Sequence, residues 1–167
     1  MRQFALFALA MGAVFSTNAA AENLVVDHAA KSGVKKCLPA VKYIADFLIE
    51  DGNAGAHSVW NSNTPDKQVF TSVVERNFKD GIVLTSLTVS PVTSGQCAAV
   101  YDQISYSPKS CFAVSKETFG KYEYKDSVNK DVIVLESRSA NVYLMPAEGG
   151  GCVILKKEVL MDATPSK

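Results

Sequence analysis

Residues 68–90 read QVFTSVVERNFKDGIVLTSLTVS, two β-rich runs, Gln68–Phe78 and Ile82–Ser90, on either side of Lys79-Asp80-Gly81. An Asp-Gly pair between runs rich in Val, Ile, Thr and Phe is a strong short-range hairpin signal, because both residues tolerate the positive φ that a tight turn demands. The pattern continues outward in both directions. Pro91–Gln96 is a further turn, and Cys97–Tyr106 alternates, with Ala98, Val100, Ile104 and Tyr106 on one side and Ala99, Tyr101, Gln103 and Ser105 on the other. That is a third long antiparallel strand. Ser107-Pro108 supplies a cap and first-turn proline for a helix through Phe119, anchored by Phe112 and Phe119 and stopped at Gly120.

Beyond it, Lys121–Lys130 reads as a polar, Tyr-bearing connection, and Val132–Ser137, Asn141–Pro146 and Cys152–Leu160 read as strands. Glu148-Gly149-Gly150-Gly151 is the turn between the last two. On the N-terminal side, Cys37, Val41, Ile44 and Leu48 form one apolar stripe, widened by Ala45 and Phe47, which predicts a helix over 35–50 ending at Asp51-Gly52. A short strand over His57–Trp60 sits between loop-like stretches. The order predicts an α+β fold: an antiparallel sheet of six to seven strands with two α-helices packed on one face. The expected organisation is a single domain over 35–160, preceded by a mobile polar lead over 22–34 and followed by a frayed tail over 161–167.

The chain has 167 residues, 47% of them apolar and 20% charged, and carries 17 basic against 17 acidic side chains. This is a globular composition for one domain, and a balanced charge offers no general field for nucleic acid or an anionic membrane surface. Met1-Arg2, the apolar run Phe4–Phe15 and the small residues Ala19, Ala20 and Ala21 form a secretory signal peptide pattern over 1–21, with cleavage before Glu22. The run is shorter than the roughly 20 residues needed to span a bilayer. No Cys follows it to accept a lipid, so the expectation is a soluble periplasmic or secreted protein without stable membrane insertion.

Cys37, Cys97, Cys111 and Cys152 are even in number, widely spaced and all beyond the leader, which predicts two disulfides. No C-x2-C pair offers a zinc site or a redox dithiol. Cys97 and Cys152 both begin strands expected to run the same way, and Cys37 and Cys111 both lie near helix starts. The favoured pairing is therefore Cys37 with Cys111 and Cys97 with Cys152. Cys97 with Cys111 is the least favoured, because a ten-residue strand separates them.

The motifs of catalysis are missing: no H-E-x-x-H, EF-hand loop, Walker lysine, G-x-G-x-x-G or G-x-S-x-G. His28 falls in the lead and His57 near a loop edge, with Asp51 and Asp66 its nearest acids in sequence and no strained-nucleophile motif beside it. Glu75, Asp102, Glu136 and Glu158 sit among alternating residues, where acids usually mark a solvated sheet face, and Lys156-Lys157 reads as a solvated edge. No catalytic, cofactor or metal residues are assigned, and no cofactor is expected. Trp60, Asn61 and Asn63 place an indole beside amides on a loop, and Tyr122 and Tyr124 lie in a connection where burying both rings is difficult. These five are the candidate binding surface, with core capping by Trp60 as the plain alternative.

Together these readings predict a non-catalytic exported protein that acts on a protein partner of the bacterial envelope, such as an inhibitor, immunity-like protein or assembly factor. A small-ligand or lipid carrier is the alternative, and a carboxylate-based glycan hydrolase a third reading. Oligomeric state is not legible in the chain.

Overall fold

Nine of the chain's alternating or periodic stretches settle into helices and strands much where their side chains demand. The computed structural model describes residues 23–49, 54–93 and 95–163. Its helices are α1 (Leu24–Ser32), α2 (Leu38–Leu48) and α3 (Cys111–Glu117). Its strands are β1 (Ala54–Trp60), β2 (Phe70–Phe78), β3 (Gly81–Pro91), β4 (Cys97–Ser107), β5 (Glu123–Val128), β6 (Val132–Glu136), β7 (Ala140–Pro146) and β8 (Cys152–Leu160). All eight strands form one antiparallel sheet in the order β1-β2-β3-β4-β8-β7-β6-β5. The fold is α+β. The expected leader over 1–21 and the helix stop at Asp51-Gly52 lie outside the described residues.

The deciding hairpin closes with Phe78 opposite Gly81, whose φ of 147° suits glycine alone. Alternation then sorts the side chains. Phe70 and Val74 of β2, Leu87 and Val89 of β3, and Ala99 and Tyr101 of β4 are buried with Val25 and Ala29 of α1 and Val41, Ile44, Ala45 and Leu48 of α2. A second, smaller cluster joins Cys111 and Val114 of α3 to Leu135, Val142, Leu144 and Cys152. Carried through the registers, Leu87 faces Tyr101, Tyr101 faces Glu158, and Lys156 and Ile154 further along β8 face Val142 and Leu144. Both clusters therefore use the same face of the sheet. Among the described residues, no helix is long and apolar enough to cross a membrane.

The strand count corrects the expected six to seven to eight. The additional strand is β5, in the stretch read as a polar connection; it is an edge strand exposed along most of its length, so it shows no apolar alternation. The expected mobile lead over 22–34 is largely α1. Asn23 caps it by accepting from the Val25 N–H, Gly33 ends it at φ 94°, and Val25 and Ala29 are buried. Its apolar stripe is only one turn wide, too short to register against the polar residues around it. Of the expected tail over 161–167, Ala163 is buried and its N–H donates to the Cys97 carbonyl at 2.7 Å.

The four cysteines do form two disulfides, but the pairing is Cys37 with Cys97 and Cys111 with Cys152. The expected pairing assumed that β4 and β8 run the same way. They are antiparallel neighbours, with Cys152 opposite Ser107, ten residues along β4 from Cys97. At about 3.3 Å per residue that is roughly 33 Å, far beyond the reach of a disulfide. Cys111, four residues after the end of β4, is instead brought beside Cys152.

Candidate functional site

The five candidate residues fall on opposite edges of the sheet. Trp60 ends β1, the first strand in the order, and Tyr124 lies on β5, the last. Seven strand spacings of about 4.8 Å put them roughly 34 Å apart along the sheet. They form two surfaces, not one.

At the β1 edge, Trp60 is about half-exposed and the loop after it is tightly bonded. The Asn61 side chain accepts from the N–H groups of Asn63 at 2.9 Å and Thr64 at 3.3 Å, which commits its carboxamide to shaping the turn. Two residues on, one Asp66 carboxylate oxygen accepts from the N–H groups of Lys35 at 2.7 Å and Lys36 at 2.6 Å, tying the loop to the α1–α2 connection. Those two backbone donors hold the Asp66 carboxyl below its usual range, the Lys36 bond contributing most. Trp60 thus stands on a clamp between sheet and helices.

At the β5 edge, Tyr122 and Tyr124 line an open groove of about 380 Å³ with Phe112, Lys116 and Leu135. Phe112 and Tyr124 are strongly exposed, at 69% and 67%. Tyr122 packs edge-on against Phe119, three residues earlier in the same connection between α3 and β5, with ring centroids 5.3 Å apart.

Two further surfaces were not legible in the sequence. One lies on the helix-bearing face, where β4 and β8 are left between α2 and α3. Tyr43 and Phe47 of α2, Tyr101 of β4, and Glu158 and Leu160 of β8 enclose a pocket of about 210 Å³. Tyr101 is buried and its hydroxyl is bonded to Glu158; burial first, then that bond, pushes its pKa well above the phenolic range. Glu158 also pairs with Lys156 at 2.7 Å. Lower on the sheet, Phe78, Val83, Ser105, Lys109 and Ile154 line an open groove of about 480 Å³.

The other is the opposite face. Leu84, Ile104, Leu155, Tyr143 and Val134 stand directly opposite one another across β3, β4, β8, β7 and β6. Tyr106, Val153 and Met145 form a second row beside them, and Ile82 continues it on β3. Leu84, Ile104, Ile82 and Tyr106 are exposed, at 38, 39, 55 and 55%. The two core clusters lie on the other side of the sheet, so no helix of the described residues covers these rows.

Asp102 and Glu158 are not on a freely solvated face. Asp102 pairs with Lys157 at 2.7 Å on one side of β8 and Glu158 with Lys156 on the other, all four side chains at or below 34% exposure. The expected solvated edge at Lys156-Lys157 is therefore a central strand, and each lysine offsets an acid there. The sequence signal was Lys-Lys-Glu inside an otherwise apolar strand, where alternation sends the two lysines to opposite faces. His28 is placed by α1 so that its Nδ1 lies 3.0 Å from Ser58 Oγ, which donates to Ser72 Oγ at 3.0 Å. This polar chain fastens α1 to β1 and β2. Among the described residues, no three His, Cys, Asp or Glu side chains are grouped to hold a metal ion.

No family model matches the chain, no curated protein matches it, and no solved structure matches its fold.

Proposed function

We propose that the protein is a non-catalytic, exported binding protein that presents its uncovered sheet face to a protein partner of the bacterial envelope. The observation that supports this reading is the pair of apolar rows, Leu84-Ile104-Leu155-Tyr143-Val134 and Tyr106-Val153-Met145, on the face over which no helix of the described residues packs. Contiguous exposed apolar patches on soluble proteins usually mark interaction sites. The polar row beside them, Ser86, Asp102, Lys157 and Asn141, carries an ion pair and would serve as rim to their core. The apolar rows and the polar row beside them span five strands at about 4.8 Å and about six residues at about 3.3 Å, on the order of 500 Å², which suits the core of an interface of roughly 800 Å² per partner. The partner this fits is a folded protein with a flat apolar surface of its own. The signal sequence pattern over 1–21 and the two disulfides support an oxidising, exported setting.

The test is the double variant Leu84→Glu with Ile104→Lys. These positions are direct cross-strand neighbours, so the new charges pair with each other and the sheet is kept while the apolar row is broken. Cross-linking of the oxidised protein in an envelope fraction is expected to capture one dominant protein, and the variant to lose that capture by at least about tenfold with unfolding changed by less than about 1 kcal/mol. Equal capture by wild type and variant overturns the proposal.

A further inference from the structure

We propose that the pocket between α2 and the β4–β8 pair binds an organic cation, the alkylammonium group of a small ligand or of a substituent on a larger one. The walls have the right chemistry. Tyr43, Phe47 and Tyr101 contribute three aromatic residues to the lining, and the Phe47 and Tyr101 rings stand 6.2 Å apart, tilted at 55° to each other. Ring faces attract cations through their quadrupole, most strongly where water is partly excluded. Ile44 and Leu160 complete an apolar lining, and Glu158 is the one charged residue in it.

Glu158 carries a negative charge held in place. Its side chain is only 13% exposed and is fixed from two sides, by the Tyr101 hydroxyl and by Lys156 Nζ at 2.7 Å. A carboxylate has about four acceptor positions, and these partners occupy two. Lys156 partly offsets the charge from outside the pocket, whose lining includes Glu158 but not the lysine. At about 210 Å³ the space is below the roughly 300 Å³ of sites for drug-sized ligands and suits a compact head group. Tyr43 and Phe47, at 59% and 55% exposure, form the open rim through which such a group would enter.

The pocket is distinct from the sheet face assigned to a protein partner, and its test does not involve that partner. Choline is titrated into the 15N-labelled oxidised protein beside its neutral isostere 3,3-dimethylbutan-1-ol, at constant ionic strength and up to about 100 mM, well above an expected Kd of roughly 1–10 mM. Expected are saturable shifts centred on Tyr43, Phe47, Tyr101 and Glu158, and affinity about tenfold weaker for the neutral isostere. Phe47→Leu keeps an apolar wall and removes the ring; it is expected to weaken choline by about fivefold and leave the isostere unchanged. Tyr43→Leu, on the same exposed rim, repeats the test should Phe47→Leu unfold more readily than wild type. Equal affinity for choline and the isostere, unsaturable shifts, or shifts centred on the Phe112–Tyr124 groove instead would each overturn the proposal.

Discussion

Replacing Cys111 and Cys152 together by Ala should loosen α3 from the sheet and destabilise the whole domain by about 4 kcal/mol. The bond closes a loop with a sequence separation of 41. Loop-closure entropy for that length corresponds to about 3.9 kcal/mol at 25 °C. Both cysteines lie in the smaller of the two clusters, buried beside Val114, Leu135, Val142 and Leu144. Little else there replaces the lost constraint. In urea, with a slope of about 2 kcal/mol per molar, the unfolding midpoint should fall by about 2 M. Hydrogen exchange of the Val114 to Thr118 amides should accelerate more than that of the α2 amides, because α2 is held by the larger cluster and by its own bond to Cys97. A midpoint shift under about 0.5 M, or equal acceleration in α2 and α3, would refute the view that this cross-link holds the second cluster together.

Tryptic digestion without reductant should join the peptide 37–42 to 80–109 and the peptide 110–116 to 139–156; a 37–42 peptide joined to 110–116 would contradict the bonding. Leu144→Ala, at a fully buried site, should cost about 3 kcal/mol and lower Tm by about 8–10 °C in calorimetry. Asp66→Asn should destabilise at neutral pH, since the depressed carboxyl contributes stability that is present above its unfolded pKa of about 3.9 and is lost as pH falls through the lower folded value. The gap between wild type and variant in pH-dependent unfolding should therefore close below about pH 4, and a gap that stays constant would argue against the Lys35 and Lys36 backbone bonds as its source.

The hairpin at Asp80-Gly81, the strand from Cys97 and the stripe of α2 were legible because each states its period over eight or more residues. What was lost shares a cause. β5 is a polar edge, α1 is short, and neither buries enough surface to print a pattern. The cysteine pairing failed on direction alone: nothing local in β8 says that it returns to lie antiparallel to β4. Of the candidate surface, Tyr122 and Tyr124 do line a groove, whereas Asn61 spends its side chain on its own turn. The pocket around Tyr101 and the apolar rows depend on long-range register, Leu84 against Ile104 against Leu155, which no window of sequence contains.

The bonding pattern also bears on how the chain is made. Each cysteine is joined to the next one in order, first to second and third to fourth. A chain that emerges from its N-terminus therefore exposes Cys37 and Cys97 as a complete pair before Cys111 and Cys152 follow. An oxidant that simply joins thiols as they appear would produce the native bonds, and a disulfide isomerase would have little to correct. The sheet closes on another schedule, since β4 waits for β8, the last strand to arrive. Covalent order can thus be complete while the central seam is still open.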